Sequence, residues 1–177
     1  LVTIWLPDLK TLNSTLSKEL FAAPDYPEVA SKAISWMIEN NPMIIEPSEK
    51  DSSLEKMHQG VIIRHLFLPG RFEETADVLQ WLKENADTKA CISLMNQYTP
   101  VPFEEEKSCL EQRKKSLATI ENRLVTKEED ADIQDLIEAY DFDYLFYQEL
   151  SDDTSWLPDF RRPQPFSNKL AKPVWHW

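Results

Sequence analysis

Residues 61–68 are apolar at every position except Arg64 and His65, and Pro69 and Gly70 end the run. A segment apolar on both of its alternating faces reads as a strand covered on both sides, the situation of strands in parallel α/β sheets. The rest of the chain fits that frame, because extended apolar runs alternate with helical patterns. Residues 2–6 read as a buried strand and residues 15–21 as a short helix. A longer helix starts near Asp25, where Asp25 and Glu28 have capping-box spacing and Pro27 is tolerated in the first turn. Its apolar positions Val29, Ala33, Trp36 and Met37 draw one face, and Asn40, Asn41 and Pro42 end it. Residues 43–59 read as an irregular excursion with a polar tip at 47–53.

Three further elements follow. Residues 72–85 form a helix with Glu73 and Glu74 in its first turn and Ala76, Leu79 and Leu82 facing inward. Residues 90–96 form a strand. Residues 99–124 are a long charged connection holding Glu104, Glu105 and Glu106, with a solvated helix near 109–116. Thr126 and Glu129 then make a capping box for a helix whose buried side is Ile133, Leu136, Ile137 and Tyr140. Residues 143–148 are the last strand. The order predicts right-handed parallel βαβ units across residues 1–150. Residues 151–177 are a separate Pro- and aromatic-rich tail, basic after Asp159 through Arg161, Arg162, Lys169 and Lys172. Docking of this tail across the acidic surface is the expectation, with a neighbouring copy as the other possible receiver.

Composition narrows the function classes. Of 177 residues 42% are hydrophobic, and the six tryptophans mark an ordered chain rather than a disordered one. A net charge of −12 repels polyanions and argues against nonspecific nucleic-acid binding. No apolar run approaches the roughly 20 residues a bilayer requires, so no membrane span is expected. Two cysteines, Cys91 and Cys109, make no disulfide framework, and no signal peptide opens the chain, which together favour the cytoplasm. Leu1 lies inside a strand-like run, which suggests that further sequence precedes it. Only two glycines are present, few for a complete α/β enzyme, so the loops that hold cofactors are expected elsewhere.

The candidate ligand residues sit at strand ends, where parallel sheets bind ligands. They are Asp8 and Lys10 after the first strand, Arg64 in the second, and Gln97 and Tyr98 after the third. Period-two alternation puts Asp8 and Lys10 on one side of the chain. Arg64 shares a face with Ile62 and Leu66, and a guanidinium there needs a carboxylate, which Asp8 can supply. An Arg64–Asp8 pair serving structure alone is the competing reading, and Tyr98 equally suits simple packing. His65 faces the opposite side, toward a helix layer, as a satisfied core imidazole. Cys91 reads as a small buried hydrophobe, and neither the cysteines nor His58, His65 and His176 make a metal-ligand pattern.

Several blocks, Trp5-Leu6-Pro7-Asp8-Leu9-Lys10, Ala23-Pro24-Asp25-Tyr26-Pro27-Glu28-Val29-Ala30, Gly60 through Gly70, Ile92-Ser93-Leu94-Met95-Asn96-Gln97-Tyr98 and Asn122-Arg123-Leu124-Val125-Thr126, resemble the C-terminal half of radical S-adenosylmethionine proteins related to pyruvate formate-lyase activating enzyme. The resemblance covers roughly residues 1–150 in order. It implies the later strands of a partial (β/α)6, TIM-like barrel. The family's three-cysteine cluster loop and Gly-Gly-Glu segment are absent from this chain. The resemblance also implies S-adenosylmethionine and a [4Fe-4S] cluster whose ligands lie outside this chain, with a 5′-deoxyadenosyl radical that in activating enzymes takes a hydrogen from a partner protein. Asp8 and Lys10 match the family's Asp-x-Lys pair near S-adenosylmethionine, and Arg64 matches the arginine preceding its Pro-Gly. Tyr98, or Gln97 with the register one residue off, stands where activating enzymes carry a histidine near the nucleoside. The ligand's methionyl carboxylate then joins Asp8 as a partner for Arg64. A non-catalytic binding or assembly module that keeps the scaffold is the alternative. A missing barrel half also leads us to expect self-association through an exposed sheet edge or an uncovered interior.

Overall fold

The computed structural model describes residues 2–49, 51–100, 110–148 and 150. The acidic run at 104–106, Cys109 and the tail from residue 151 lie outside the described residues. The elements in order are β1 (Ile4–Trp5), α1 (Ser14–Phe21), α2 (Tyr26–Asn40), β2 (Ile44–Pro47), β3 (Glu55–Leu66), α3 (Phe72–Asn85), β4 (Cys91–Met95), α4 (Leu110–Leu117), α5 (Lys127–Tyr140) and β5 (Leu145–Gln148). The expected α/β class holds. Strands β1, β3, β4 and β5 lie side by side in that order, all parallel.

The excursion at 43–59 is more ordered than the sequence suggests. Strand β2 pairs antiparallel with the first half of β3, so β3 begins at Glu55 rather than near residue 61. Asp51 shapes the connecting turn by accepting from the Ser53 amide and hydroxyl. The hairpin is largely exposed and holds few apolar side chains in the core, so no hydrophobic alternation announces it. Gly60 stands where β3 passes from β2 to its parallel neighbours. Its φ of +142° and the approach of Met43 Cα to 3.1 Å from a built Cβ leave room for glycine alone. Gly70 ends β3's following turn at φ +75°, with Glu121 against the place a Cβ would take.

Register assigns the two faces of the sheet. Val61, Ile63 and Phe67 of β3 and the segment after it, with Ile92 and Leu94 of β4, join Ile34 and Ile38 of α2, Val78, Leu79 and Leu82 of α3 and Ile133 of α5 in one buried core. The alternate residues, Ile62, Arg64 and Leu66, lie in register with Cys91, Ser93 and Met95 of β4, and Ser93 with Phe146 of β5. Of these only Cys91 is buried, and none belongs to that core; Phe146 is 66% exposed and Leu6, on the same face, 52%. The run 61–68 is therefore covered on one side among the described residues, not on both as its composition implies. Strand β1, at the edge, has one hydrogen-bonded neighbour among the described strands.

Helix α2 corrects two expectations. Asp25 precedes it in a helical conformation and makes no side-chain capping bond, because a cap needs extended backbone to swing its oxygen toward the third amide. Glu28 instead pairs with Lys32 at 2.5 Å. The buried stripe runs through Pro27, Ile34 and Ile38, while Val29 and Trp36 are 58% and 57% exposed. The helix carries two apolar stripes, and the one facing the sheet is the aliphatic one. Trp36 stacks on Trp5 of β1 across 6.0 Å, nearly parallel at 4°. Helix α3 matches its expected bounds, Thr126 and Glu129 make the full reciprocal capping box of α5, and of that helix's expected buried side Ile133 is the residue fully buried.

Candidate functional site

Past β1 the chain continues alongside β3 and makes a further parallel bridge, Asp8 to Arg64. The Arg64 amide donates to the Pro7 carbonyl, and the Leu9 amide donates to the Arg64 carbonyl, each at 2.9 Å. Leu9 is buried in the core, so its neighbours Asp8 and Lys10 turn the other way. There they meet Arg64. Asp8 lies 2.8 Å from the Arg64 guanidinium through Oδ1 and 3.1 Å from Lys10 Nζ through Oδ2. One carboxylate thus holds two cations, leaving an excess of one positive charge. The cluster stands on the sheet face that the helices leave open. The Arg64 side chain keeps 41% of its exposure, yet its Nε is buried without a hydrogen-bond acceptor among the described residues. A buried unsatisfied donor costs on the order of 1–3 kcal/mol.

The remaining candidate residues lie apart from this cluster. Gln97 accepts from Gln148 Nε2 at 2.8 Å, joining the carboxyl ends of β4 and β5. Tyr98 donates to Asn122 Oδ1 at 2.8 Å while packing against the core, and burial raises its hydroxyl pKa. Asn96, although at the same strand end, is fully buried on the helix side. It donates to Asp130 and, at 2.8 Å, to Tyr147, whose hydroxyl donates to Asp130, so this trio fastens the start of α5 to the sheet. His65 is buried as expected. Its Nδ1 faces the Leu9 carbonyl at 2.7 Å, which can only accept, so the proton sits on Nδ1 and Nε2 accepts from Thr75 Oγ1 at 2.9 Å. Burial pushes its pKa down to about 4, the Leu9 carbonyl works against that and Lys10 adds to it, so the ring is neutral at physiological pH.

Tyr26, at the start of α2, braces the cluster through the main chain. Its hydroxyl donates to the Asp8 carbonyl at 2.8 Å and accepts from the Lys10 amide at 2.9 Å. No local pattern links a tyrosine at a helix start to backbone sixteen and eighteen residues earlier. A hollow of about 520 Å³ lined by Ile38, Glu39, Met43, Glu84 and Lys89 lies at the opposite end, beside the amino ends of the strands. Parallel sheets place ligands at the carboxyl ends instead, which favours the Asp8 cluster. Among the described residues no three His, Cys, Asp or Glu side chains gather to hold a metal ion, and no helix is long and apolar enough to cross a membrane. Comparison with protein-family models, curated proteins and solved structures found no match for the chain.

Proposed function

We propose that this chain supplies the later strands of a partial (β/α)6 barrel in a radical S-adenosylmethionine enzyme related to pyruvate formate-lyase activating enzyme. In this reading the open face of β3 is the barrel interior, and the Asp8, Lys10 and Arg64 cluster holds the amino-acid end of S-adenosylmethionine. The supporting observation is the Arg64 Nε, a buried donor without an acceptor among the described residues, beside a cluster of net positive charge. A ligand carboxylate matches that charge, approaching through the exposed part of the guanidinium and reaching Nε once the side chain turns. Arg64 offers it a charge-assisted hydrogen bond, while Asp8 keeps the two cations apart and oriented. If bound, S-adenosylmethionine would supply a 5′-deoxyadenosyl group, with the electron that breaks its sulfur–carbon bond coming from a cluster held outside the described residues.

The described residues do not fit a [4Fe-4S] cluster. Such clusters need several thiolates, and the one described cysteine, Cys91, is buried with its thiol pKa raised by desolvation. In this reading the cluster ligands belong to sequence outside the chain. Titration of ¹⁵N-labelled protein with S-adenosylmethionine tests the assignment. The expected result is shifts of the amides around Asp8, Lys10 and Arg64 with about millimolar Kd, weakened about tenfold by Arg64→Ala. No shift at about ten times that concentration would overturn it in favour of the assembly module.

A further inference from the structure

The segment carrying Asp8 and Lys10 lies beyond the two residues of β1, yet four of the six backbone polar groups of Asp8, Leu9 and Lys10 have a partner from another element. The Asp8 carbonyl and Lys10 amide share the Tyr26 hydroxyl at the start of α2. The Leu9 carbonyl accepts from His65, which is tied through Nε2 to Thr75 of α3. The Leu9 amide is held by β3 and its side chain by the core. A carbonyl and an amide two residues apart meeting one hydroxyl fix the peptide planes on either side of Leu9, and these planes carry the flanking Asp8 and Lys10 side chains. Burial raises the Tyr26 pKa, the Lys10 amide lowers it and Asp8 raises it again, so the net upward shift keeps the hydroxyl a donor.

We infer that Tyr26 and His65 are positioning residues that clamp the Asp8–Lys10 backbone and so aim the carboxylate and ammonium at Arg64 and at an incoming ligand carboxylate. This rests on the ligand reading above for its last clause only. Tyr26 touches no reacting atom; it acts through the main chain. Its ring also packs at a tilt on Phe21, 5.9 Å between centroids, so Tyr26→Phe deletes the hydroxyl while keeping the packing.

Amide hydrogen exchange and S-adenosylmethionine titration on the same variants test the inference. In Tyr26→Phe the Lys10 amide should exchange about tenfold faster while the amides of β4 stay as in wild type, and ligand affinity should fall about three- to tenfold. His65→Asn, which keeps a donor near the Nδ1 position, should retain the affinity that His65→Ala loses. Val78→Ala, a core truncation on α3, serves as the stability control and should lower the melting temperature without weakening the ligand. Unchanged Lys10 exchange in Tyr26→Phe would overturn the clamp, whether or not ligand binds. So would equal loss of affinity in Val78→Ala and Tyr26→Phe. Absence of ligand response in wild type as well would remove the functional reading while the exchange data still decide the clamp. If His65→Ala does not fold, the Tyr26→Phe comparison stands alone.

Discussion

Arg64 and His65 are adjacent on one strand and live in opposite surroundings. His65 is buried, neutral and bonded at both ring nitrogens, joining β3 to the backbone of Leu9 and to α3. Arg64 points to the open face, is ion-paired to Asp8, and retains a donor without a partner among the described residues. The contrast shows how a single strand divides labour: its core-facing residues supply stability, and the alternate ones are left free of that demand. Neighbouring substitutions on β3 should therefore alternate in effect.

The largest difference should come from Ile63→Ala against Ile62→Ala. Ile63 is fully buried and Ile62 only partly. Chemical denaturation should show a loss of about 2–5 kcal/mol for the first and under about 1 kcal/mol for the second; similar losses would mean that the two faces are equally covered. Acid should reveal His65 next. Because its folded pKa, about 4, lies below the ordinary 6.5, the unfolded chain takes up a proton first as pH falls. Its contribution is complete above 6.5, declines between 6.5 and about 4, and is level below, amounting to roughly 3 kcal/mol. Urea midpoints across that interval for wild type and His65→Gln should converge as pH falls; parallel curves would contradict the burial of a neutral ring. The smallest effect on stability belongs to Arg64→Ala, expected below about 1 kcal/mol because the pair is partly solvated. A loss as large as that of Ile63→Ala would make the Arg64–Asp8 pair a structural one.

A second comparison supports the first. Arg123 and Glu129 also form a charged cluster, but Glu129 accepts from Arg123, Thr126 and the Gly70 amide, closing on itself and fastening the turn after β3 to α5. Burial would raise the Glu129 pKa, yet the Arg123 bond and the two backbone amides bring it down to about 2. That cluster consumes its donors in structure. The Asp8 cluster leaves one over.

Much of the frame was legible where a local rule meets a strong pattern. Thr126 and Glu129 announced α5 because a capping box is encoded within four residues. The alternation around Leu9 placed Asp8 and Lys10 together, and the isolated charge of Arg64 named its partner. What escaped was set by tertiary choice. Helix α2 offers two apolar stripes, and only the sheet decides between Ile34 with Ile38 and Val29 with Trp36. The hairpin of β2 is held by backbone bonds between exposed residues, which leave little trace in composition. The role of Tyr26 depends on a hydroxyl reaching across the fold, for which sequence has no spacing rule.

The stacked indoles of Trp5 and Trp36 give the molecule an optical label on its own margin. Two nearly parallel, stacked chromophores at that separation couple their ultraviolet transitions only while α2 rests against β1. Circular dichroism in the indole bands thereby reads out, without any added dye, whether that margin is seated, peeled away or overlaid by another polypeptide.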